Sequence, residues 1–217
     1  TTFDVTGDTI STANNVTLTN LDTFTVTNST FIFDGTTTLT SAALAFNNVQ
    51  LGTGAVGGSL TTADNMDING AVSVLNGGAT TWDISNDTVN ASSTVNLTNL
   101  DTFTVATSTF IFDGTTTLTS GGRAFNAVQI GTGAVGASVT TADAMDINGA
   151  LTVLNGGATT FNISDDSVSA ASTVTLTNLD TFTVTNSTFI FDGTTTLTSA
   201  GLAFNAVQIG TGAAGGS

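Results

Sequence analysis

The sequence lacks cysteine, histidine, proline and tyrosine, and it also contains no lysine and no glutamate. Without cysteine there are no disulfides, no thiolate nucleophiles and no sulfur ligands for a metal. One basic residue, Arg123, stands against 16 aspartates, so the formal net charge is −15. A chain with so little positive charge cannot bind the phosphates of a nucleic acid electrostatically, and we therefore expect no nucleic-acid partner. It also has no run of about 18 apolar residues, so we expect no membrane insertion.

A long internal repeat is the main feature that the sequence does contain. The hexapeptide Leu-Asp-Thr-Phe-Thr-Val begins at Leu21, Leu100 and Leu179, so its three occurrences are equally spaced along the chain. Residues 21–59 and 179–217 are identical at 35 of 39 positions. Near-identical copies at a fixed period are typical of repeat architectures. We interpret the chain as one continuous repeat array with copies at 1–79, 80–158 and 159–217, of which the third is partial.

The composition favours strands over helices. Threonine supplies 49 residues and glycine 24, and both are poor helix formers. Short apolar-polar-apolar triplets, such as Phe3-Asp4-Val5 and Phe24-Thr25-Val26, recur at short and similar intervals within one copy. Steps of about 20 residues suit the turns of a solenoid built from short strands. We predict an all-β parallel β-solenoid with about four coils per 79-residue repeat. Tandem β-sandwich domains are the alternative, although no proline or linker separates the copies.

Strand alternation assigns side chains to the inside and the outside of the predicted coils. Ile32, Ile111 and Ile190 each lie between two phenylalanines, and three outward isoleucines would form a stripe for lateral contact between fibres. The alternative is a local bend that buries these isoleucines instead. The predicted core stack consists of Phe3, Phe24, Val26, Phe46, Trp82, Phe103, Phe161 and Phe182. The predicted outward threonine ladder consists of Thr23, Thr25, Thr27, Thr102, Thr104, Thr181, Thr183 and Thr185.

The segments Phe204–Ile209 and Met145–Val153, with Thr/Asn/Gly/Asp-rich corners, resemble the β-helical repeat regions of large bacterial surface and secreted proteins. These are proteins of the adhesin or filamentous-haemagglutinin type, and the resemblance extends over the whole chain. It implies an extracellular or cell-surface stalk, fibre or adhesive surface without a catalytic role. The calcium-binding nonapeptide of toxin-type β-rolls is not present, so no calcium ligands are carried over from that family.

The side chains available for catalysis also predict a non-catalytic role. Catalysis needs a nucleophile with a base, a carboxylate pair or a metal, and this chain offers only Asp, Ser, Thr and one Arg. Most aspartates recur in every copy, which suits turns better than a single cleft. We therefore expect no enzyme activity and no cofactor. The one metal hypothesis is a calcium ion between Asp67 and Asp83. Their side chains would point outward one coil apart, and the bound ion would relieve the repulsion between the two carboxylates.

These observations predict a structural, non-catalytic extracellular fibre or stalk segment that self-associates or continues into a long filament, with an adhesive role. Its partners would be copies of itself and a glycan or another surface. The alternative is a binding module that recognises ice or a glycan through its outward threonines. In the predicted register, the outward column of Asp4, Thr25, Asn47, Asp67 and Asp83 is too mixed for a uniform threonine plane, which favours the fibre.

Overall fold

The structure is a computed structural model that describes residues 1–75 and 77–211. All the helices and strands counted together in this part of the chain are β-strands, and no helix is formed there. Within it, no helix is long and apolar enough to cross a membrane. The chain forms two compact units, residues 1–108 and 109–217. Each unit is a parallel β-solenoid, and together they contain about nine turns. The predicted fold class is therefore confirmed, and the β-sandwich alternative is not favoured.

In the described residues of the first unit there are fifteen strands, three to a turn. They are β1 (Thr2–Asp4), β2 (Thr9–Thr12), β3 (Val16–Thr17), β4 (Thr23–Thr25), β5 (Thr30–Phe33), β6 (Thr36–Thr40), β7 (Ala45–Phe46), β8 (Asn48–Leu51), β9 (Ser59–Thr62), β10 (Met66–Ile68), β11 (Val72–Val74), β12 (Thr81–Asp83), β13 (Thr88–Ala91), β14 (Val95–Asn96) and β15 (Thr102–Thr104). Apart from β4 and β7, each of these strands pairs with the third one along the chain, which gives the sheets β1-β4, β7-β10-β13, β2-β5-β8-β11-β14 and β3-β6-β9-β12-β15.

The second unit follows the same rule as far as β28. Its strands are β16 (Thr109–Phe112), β17 (Thr115–Thr119), β18 (Ala124–Phe125), β19 (Ala127–Ile130), β20 (Ser138–Thr141), β21 (Met145–Ile147), β22 (Leu151–Val153), β23 (Thr160–Asn162), β24 (Ser167–Ala170), β25 (Val174–Thr175), β26 (Thr181–Thr183), β27 (Thr188–Phe191), β28 (Leu197–Thr198) and β29 (Ala206–Ile209). They form the sheets β16-β19-β22-β25-β28, β17-β20-β23-β26 and β18-β21-β24-β27-β29, in which β29 pairs with β27.

Alternating side chains fill the interior of the coils. In β5, Phe31 and Phe33 are 2% and 0% exposed, whereas Ile32 between them is half-buried on the outside. The rings of Phe31 and Phe46 meet edge to face with their centroids 5.0 Å apart. This geometry is favourable for aromatic pairs, so the stacked aromatic rings add to the energy of apolar burial.

One 79-residue copy does not contain a whole number of turns. It holds eleven strands, and at three strands per turn this is three and two-thirds turns, close to the predicted four. Equivalent segments therefore fall on different sheets. Phe3 lies in the sheet β1-β4, whereas its equivalent Trp82 lies in β3-β6-β9-β12-β15. In the second unit, β16 and its equivalent β27 also belong to different sheets.

This mismatch between copies and turns explains an error in the predicted stacking of the triplets. The prediction that Asp67 and Asp83 lie one coil apart is wrong, because their neighbours are not in register. Met66 pairs with Val89, whereas Trp82 pairs with Leu60 and Phe103. The apolar-polar-apolar pattern occurs on every sheet of the solenoid. Spacing along the sequence therefore cannot tell which triplets lie above one another.

The corner after β6 and its equivalents contains two residues with left-handed backbone. In the first copy these are Ala42 and Ala43, with φ values of 56° and 61°. The second copy has Gly121 and Gly122 there, with φ values of 62° and 74°. A residue with a Cβ in this conformation costs roughly 1–2 kcal/mol relative to the right-handed one. The first copy therefore carries backbone strain that the second avoids.

We expect Ala43→Gly to stabilise the first unit by about 1 kcal/mol, since glycine adopts left-handed backbone without the Cβ clash. The greater freedom of glycine in the unfolded chain offsets part of the gain. Urea denaturation would measure the change. As a matched control, Gly122→Ala should destabilise by a similar amount through backbone strain alone, because a Cβ at Gly122 meets no atom within 4 Å. Unchanged unfolding midpoints in both variants would contradict this account.

Candidate functional site

Aspartate carboxylates connect successive turns at the corners. Asp64 accepts hydrogen bonds from the backbone N–H groups of Ser41 (2.8 Å) and Ala42 (2.7 Å), one turn earlier in the chain. Asp143, at the equivalent position of the second copy, accepts from Ser120 (2.7 Å) and from its neighbour Gly121 (2.8 Å). Each carboxylate thus satisfies two backbone donors that a tight corner leaves without a backbone partner.

Aspartates at two further positions of the repeat also accept hydrogen bonds from a neighbouring turn. Asp101 accepts a 2.8 Å hydrogen bond from the backbone N–H of the fully buried Thr80, and Asp180 accepts one of 2.8 Å from Thr159. The side chains of Asp87 and Asp166 accept bonds of 2.7 Å from the hydroxyls of Thr62 and Thr141. These aspartates recur because the fold uses their carboxylates for hydrogen bonds between turns.

Asp146 has a less favourable environment. Partial burial raises the pKa of its carboxyl group, and the negative charge of Asp192 raises it further. Asp146 pairs in register with Ser169, whose hydroxyl donates a 2.6 Å hydrogen bond to Asp192. The two carboxylates therefore lie close together on the outside of one sheet in the second unit.

We expect Asp146→Asn to raise the melting temperature at neutral pH, because the charged form of Asp146 costs stability above its raised folded pKa. As the pH falls through that pKa the native state takes up the proton and the cost disappears. The difference between the variant and the original chain should vanish below the ordinary aspartate value of 3.8. Thermal melts from pH 7 to pH 3 would test this, and a pH-independent difference would contradict it.

The predicted calcium pair is not formed. Asp67 pairs in register with Asn90 in the sheet β7-β10-β13, whereas Asp83 pairs with Thr104 in β3-β6-β9-β12-β15. The two carboxylates thus lie on different sheets, so this pair gives the calcium hypothesis no geometric support. Among the described residues, no group of three or more acidic side chains is arranged to hold a metal ion.

The structure places the predicted core residues at three depths. Phe3, Trp82 and Phe161 lie in register with Phe24, Phe103 and Phe182, and the ring centroids of these pairs are 5.9, 5.6 and 5.9 Å apart. Phe46, Trp82 and Phe161 are buried, Phe24, Val26, Phe103 and Phe182 are half-buried, and Phe3 is 36% exposed. The prediction omitted other phenylalanines that are buried as well, which are Phe31, Phe33, Phe110, Phe112, Phe125, Phe189 and Phe191.

The predicted outward residues lie on the outside but not in the expected sets. Ile32, Ile111 and Ile190 are half-buried on outer surfaces. Ile111 lies in β16 and Ile190 in β27, on different sheets, so the three do not make one stripe. Thr25 is half-buried and the other predicted ladder residues, Thr23, Thr27, Thr102, Thr104, Thr181, Thr183 and Thr185, are exposed.

A regular set of hydroxyl groups covers the sheet β6-β9-β12-β15 of the first unit, and of its members the predicted threonine ladder contained only Thr102 and Thr104. Parallel register aligns outward residues of four successive turns in two columns. We call these residues the first hydroxyl grid. One column is Thr36, Ser59, Thr81 and Thr102, and the other is Thr38, Thr61, Asp83 and Thr104.

The second unit repeats this arrangement on the sheet β17-β20-β23-β26. We call it the second hydroxyl grid, and its residues are the equivalents of the first grid in the next copy. One column is Thr115, Ser138, Thr160 and Thr181, and the other is Thr117, Thr140, Asn162 and Thr183. The second grid contains no ionisable side chain, because Asn162 replaces the aspartate of the first.

Hydrogen bonds fix part of each grid. The Thr81 hydroxyl donates to the Ser59 hydroxyl at 2.8 Å, and Thr160 donates to Ser138 at 2.7 Å. Asp83 accepts a 2.9 Å bond from the backbone N–H of Ser85, two residues on, so its carboxylate is engaged at the end of the strand. The grids are therefore built the same way in both units.

Comparisons of the chain with protein-family models, with curated proteins and with solved structures found no match. The parallel β-solenoid agrees with the β-helical repeats that the sequence resembles. The resemblance to the adhesin or filamentous-haemagglutinin type stays a prediction.

Proposed function

We propose that this chain is a structural, non-catalytic segment of an extracellular or cell-surface fibre or stalk, of the adhesin or filamentous-haemagglutinin type. The observation that carries the proposal is the repetition of the same pairing in all three copies. Thr2 pairs with Thr23, Thr81 with Thr102 and Thr160 with Thr181. Near-identical copies stabilise one another through nearest-neighbour contacts, so such a structure extends by adding copies.

The use of the carboxylates also supports a structural role. Asp64, Asp143, Asp101 and Asp180 bind backbone groups of a neighbouring turn. Carboxylates held in this way stabilise corners and are not available for acid–base chemistry. The net charge of −15 keeps neighbouring molecules soluble and apart at low salt.

Open strand edges support self-association or continuation of the filament. Within the described residues, β29 pairs with β27 alone, and its side chains Val207 and Ile209 are 53% and 70% exposed. An unpaired edge of this kind accepts a further strand. That strand would come from more of the same chain or from a second copy, and a glycan or another surface would be the adhesive partner.

Electron microscopy of the purified 217-residue chain at micromolar concentration tests self-association. We expect filaments that grow with protein concentration. The variant Val207→Lys with Ile209→Lys should abolish them, since charged lysines block edge pairing. Val56→Lys is the matched control, because Val56 is also 53% exposed but lies in a loop after β8. Monodisperse monomers at every concentration, or filaments unaffected by the edge variant, would overturn self-association through this edge.

A further inference from the structure

The two hydroxyl grids combine regularity in two directions with stiff side chains. Adjacent strands lie about 4.8 Å apart, and outward residues i and i+2 of one strand lie roughly 6.6–6.8 Å apart. Threonine is β-branched, so its χ1 angle is restricted and its hydroxyl and methyl groups are held in place. A surface of this kind is organised before it binds anything, and little conformational entropy is lost on binding.

The regularity of the grids indicates the kind of partner. Two columns of four equivalent positions match a partner that repeats with similar spacings, and a single small molecule cannot contact all of them at once. Many weak contacts on one rigid surface add up to strong attachment when partner and protein share the same period. A partner that fits the grids therefore has a repeating surface of its own.

The chemistry of the grids restricts the kind of surface that can bind to them. The second grid has no charged residue and, like the first, contains no aromatic ring. A basic or acidic lattice would need charges on the protein, and sugar rings pack best on aromatic side chains with an apolar face. Hydroxyl groups donate and accept hydrogen bonds, and the adjacent methyl groups fill the spaces between ordered water molecules.

We propose that each hydroxyl grid is a binding surface for ice. The water molecules nearest the grid order over the threonine hydroxyls and methyls at spacings close to those of the ice lattice, and they freeze to it. Asp83 interrupts the first grid, and Asn162 takes its place in the second, so the second grid binds the more strongly of the two. This proposal does not depend on the fibre role, because ice binding requires the grids and not the strand edges.

The test measures thermal hysteresis, the gap between the melting and freezing temperatures of a crystal, together with incorporation of the labelled chain into growing ice. The full chain should show hysteresis, faceted crystals and incorporation. The grid variant Thr61→Lys with Thr140→Lys places a long charged side chain in each grid and should lose most of the hysteresis. The matched control Asn90→Lys with Thr152→Lys alters outward positions of β13 and β22, on other sheets.

Circular dichroism melts would establish that the variants fold. If the grid lysines prevent folding, Thr61→Ala with Thr140→Ala removes the same hydroxyls with less disturbance, and it should also reduce hysteresis. Absence of hysteresis and of incorporation in the original chain would overturn the proposal. Equal loss in the grid variant and the matched control would also overturn it, because the effect would then come from added charge. Loss of filaments by the β29 edge variant with hysteresis retained would separate this proposal from the fibre role.

Discussion

Replacing Asp143 by alanine is expected to destabilise the second unit by about 2–4 kcal/mol. The carboxylate accepts hydrogen bonds of 2.7 and 2.8 Å from the backbone of Ser120 and Gly121. Ser120 is fully buried, so its N–H group would lose its partner without access to water. Leaving a buried donor unsatisfied costs roughly 1–3 kcal/mol, and a bond to a charged acceptor is at the upper end of that range. Chemical denaturation followed by circular dichroism would measure the loss.

Asp143→Asn is the matched control for this prediction. The amide keeps one oxygen acceptor but places an NH₂ group, a donor, against the second backbone N–H. We expect its stability to lie between those of the original chain and the alanine variant. A change below about 0.5 kcal/mol in the alanine variant, the size typical of a surface substitution, would show that the corner does not depend on the carboxylate.

The second large effect is expected for Trp82→Ala, at about 3–5 kcal/mol. Trp82 is fully buried, and its ring lies over that of Phe103 in the next turn with the centroids 5.6 Å apart. Truncation to alanine removes apolar burial and leaves a cavity that the paired strands on either side cannot close. The midpoint of urea denaturation gives the change directly.

The other copies supply two controls for Trp82. Trp82→Phe introduces the residue found at the equivalent positions 3 and 161, and it should cost much less than the alanine variant. Phe3→Ala removes an equivalent ring that is 36% exposed in the first turn, and about 1 kcal/mol is expected because most of its neighbours lie on one side only. Equal losses for Phe3→Ala and Trp82→Ala would contradict the assigned depths.

The sequence alone was sufficient to predict the fold class. Threonine beside Val, Ile and Phe disfavours helices, and near-identical copies with a short internal period indicate a parallel solenoid. The correct pairing of Phe3 with Phe24 followed from the spacing of two triplets of similar composition. Local pattern and repetition fix which residues point inward, because strand alternation has a period of two.

The hydroxyl grids could not be predicted because they depend on register. Turn length varies along the chain, since Thr30 pairs with Asn48 whereas Thr36 pairs with the more distant Ser59. The loops at the corners absorb this difference, and the sequence does not mark where a turn closes. With the turns assumed to follow the triplets, Asp83 falls below Asp67, and the outer face looks mixed. In the observed register Asp83 lies between Thr61 and Thr104, and the hydroxyl columns become visible.

The ratio of eleven strands per copy to three strands per turn determines what happens to the structure when the number of copies in the gene changes. The strand that begins each copy pairs with the third strand after it, and it meets the same partner in every copy. Unequal recombination that adds or deletes one copy therefore preserves these strand contacts. Because eleven is not a multiple of three, it does shift every later strand to a neighbouring sheet, and a third added copy restores the original assignment. Variation in copy number would thus change which sheet carries a given set of side chains.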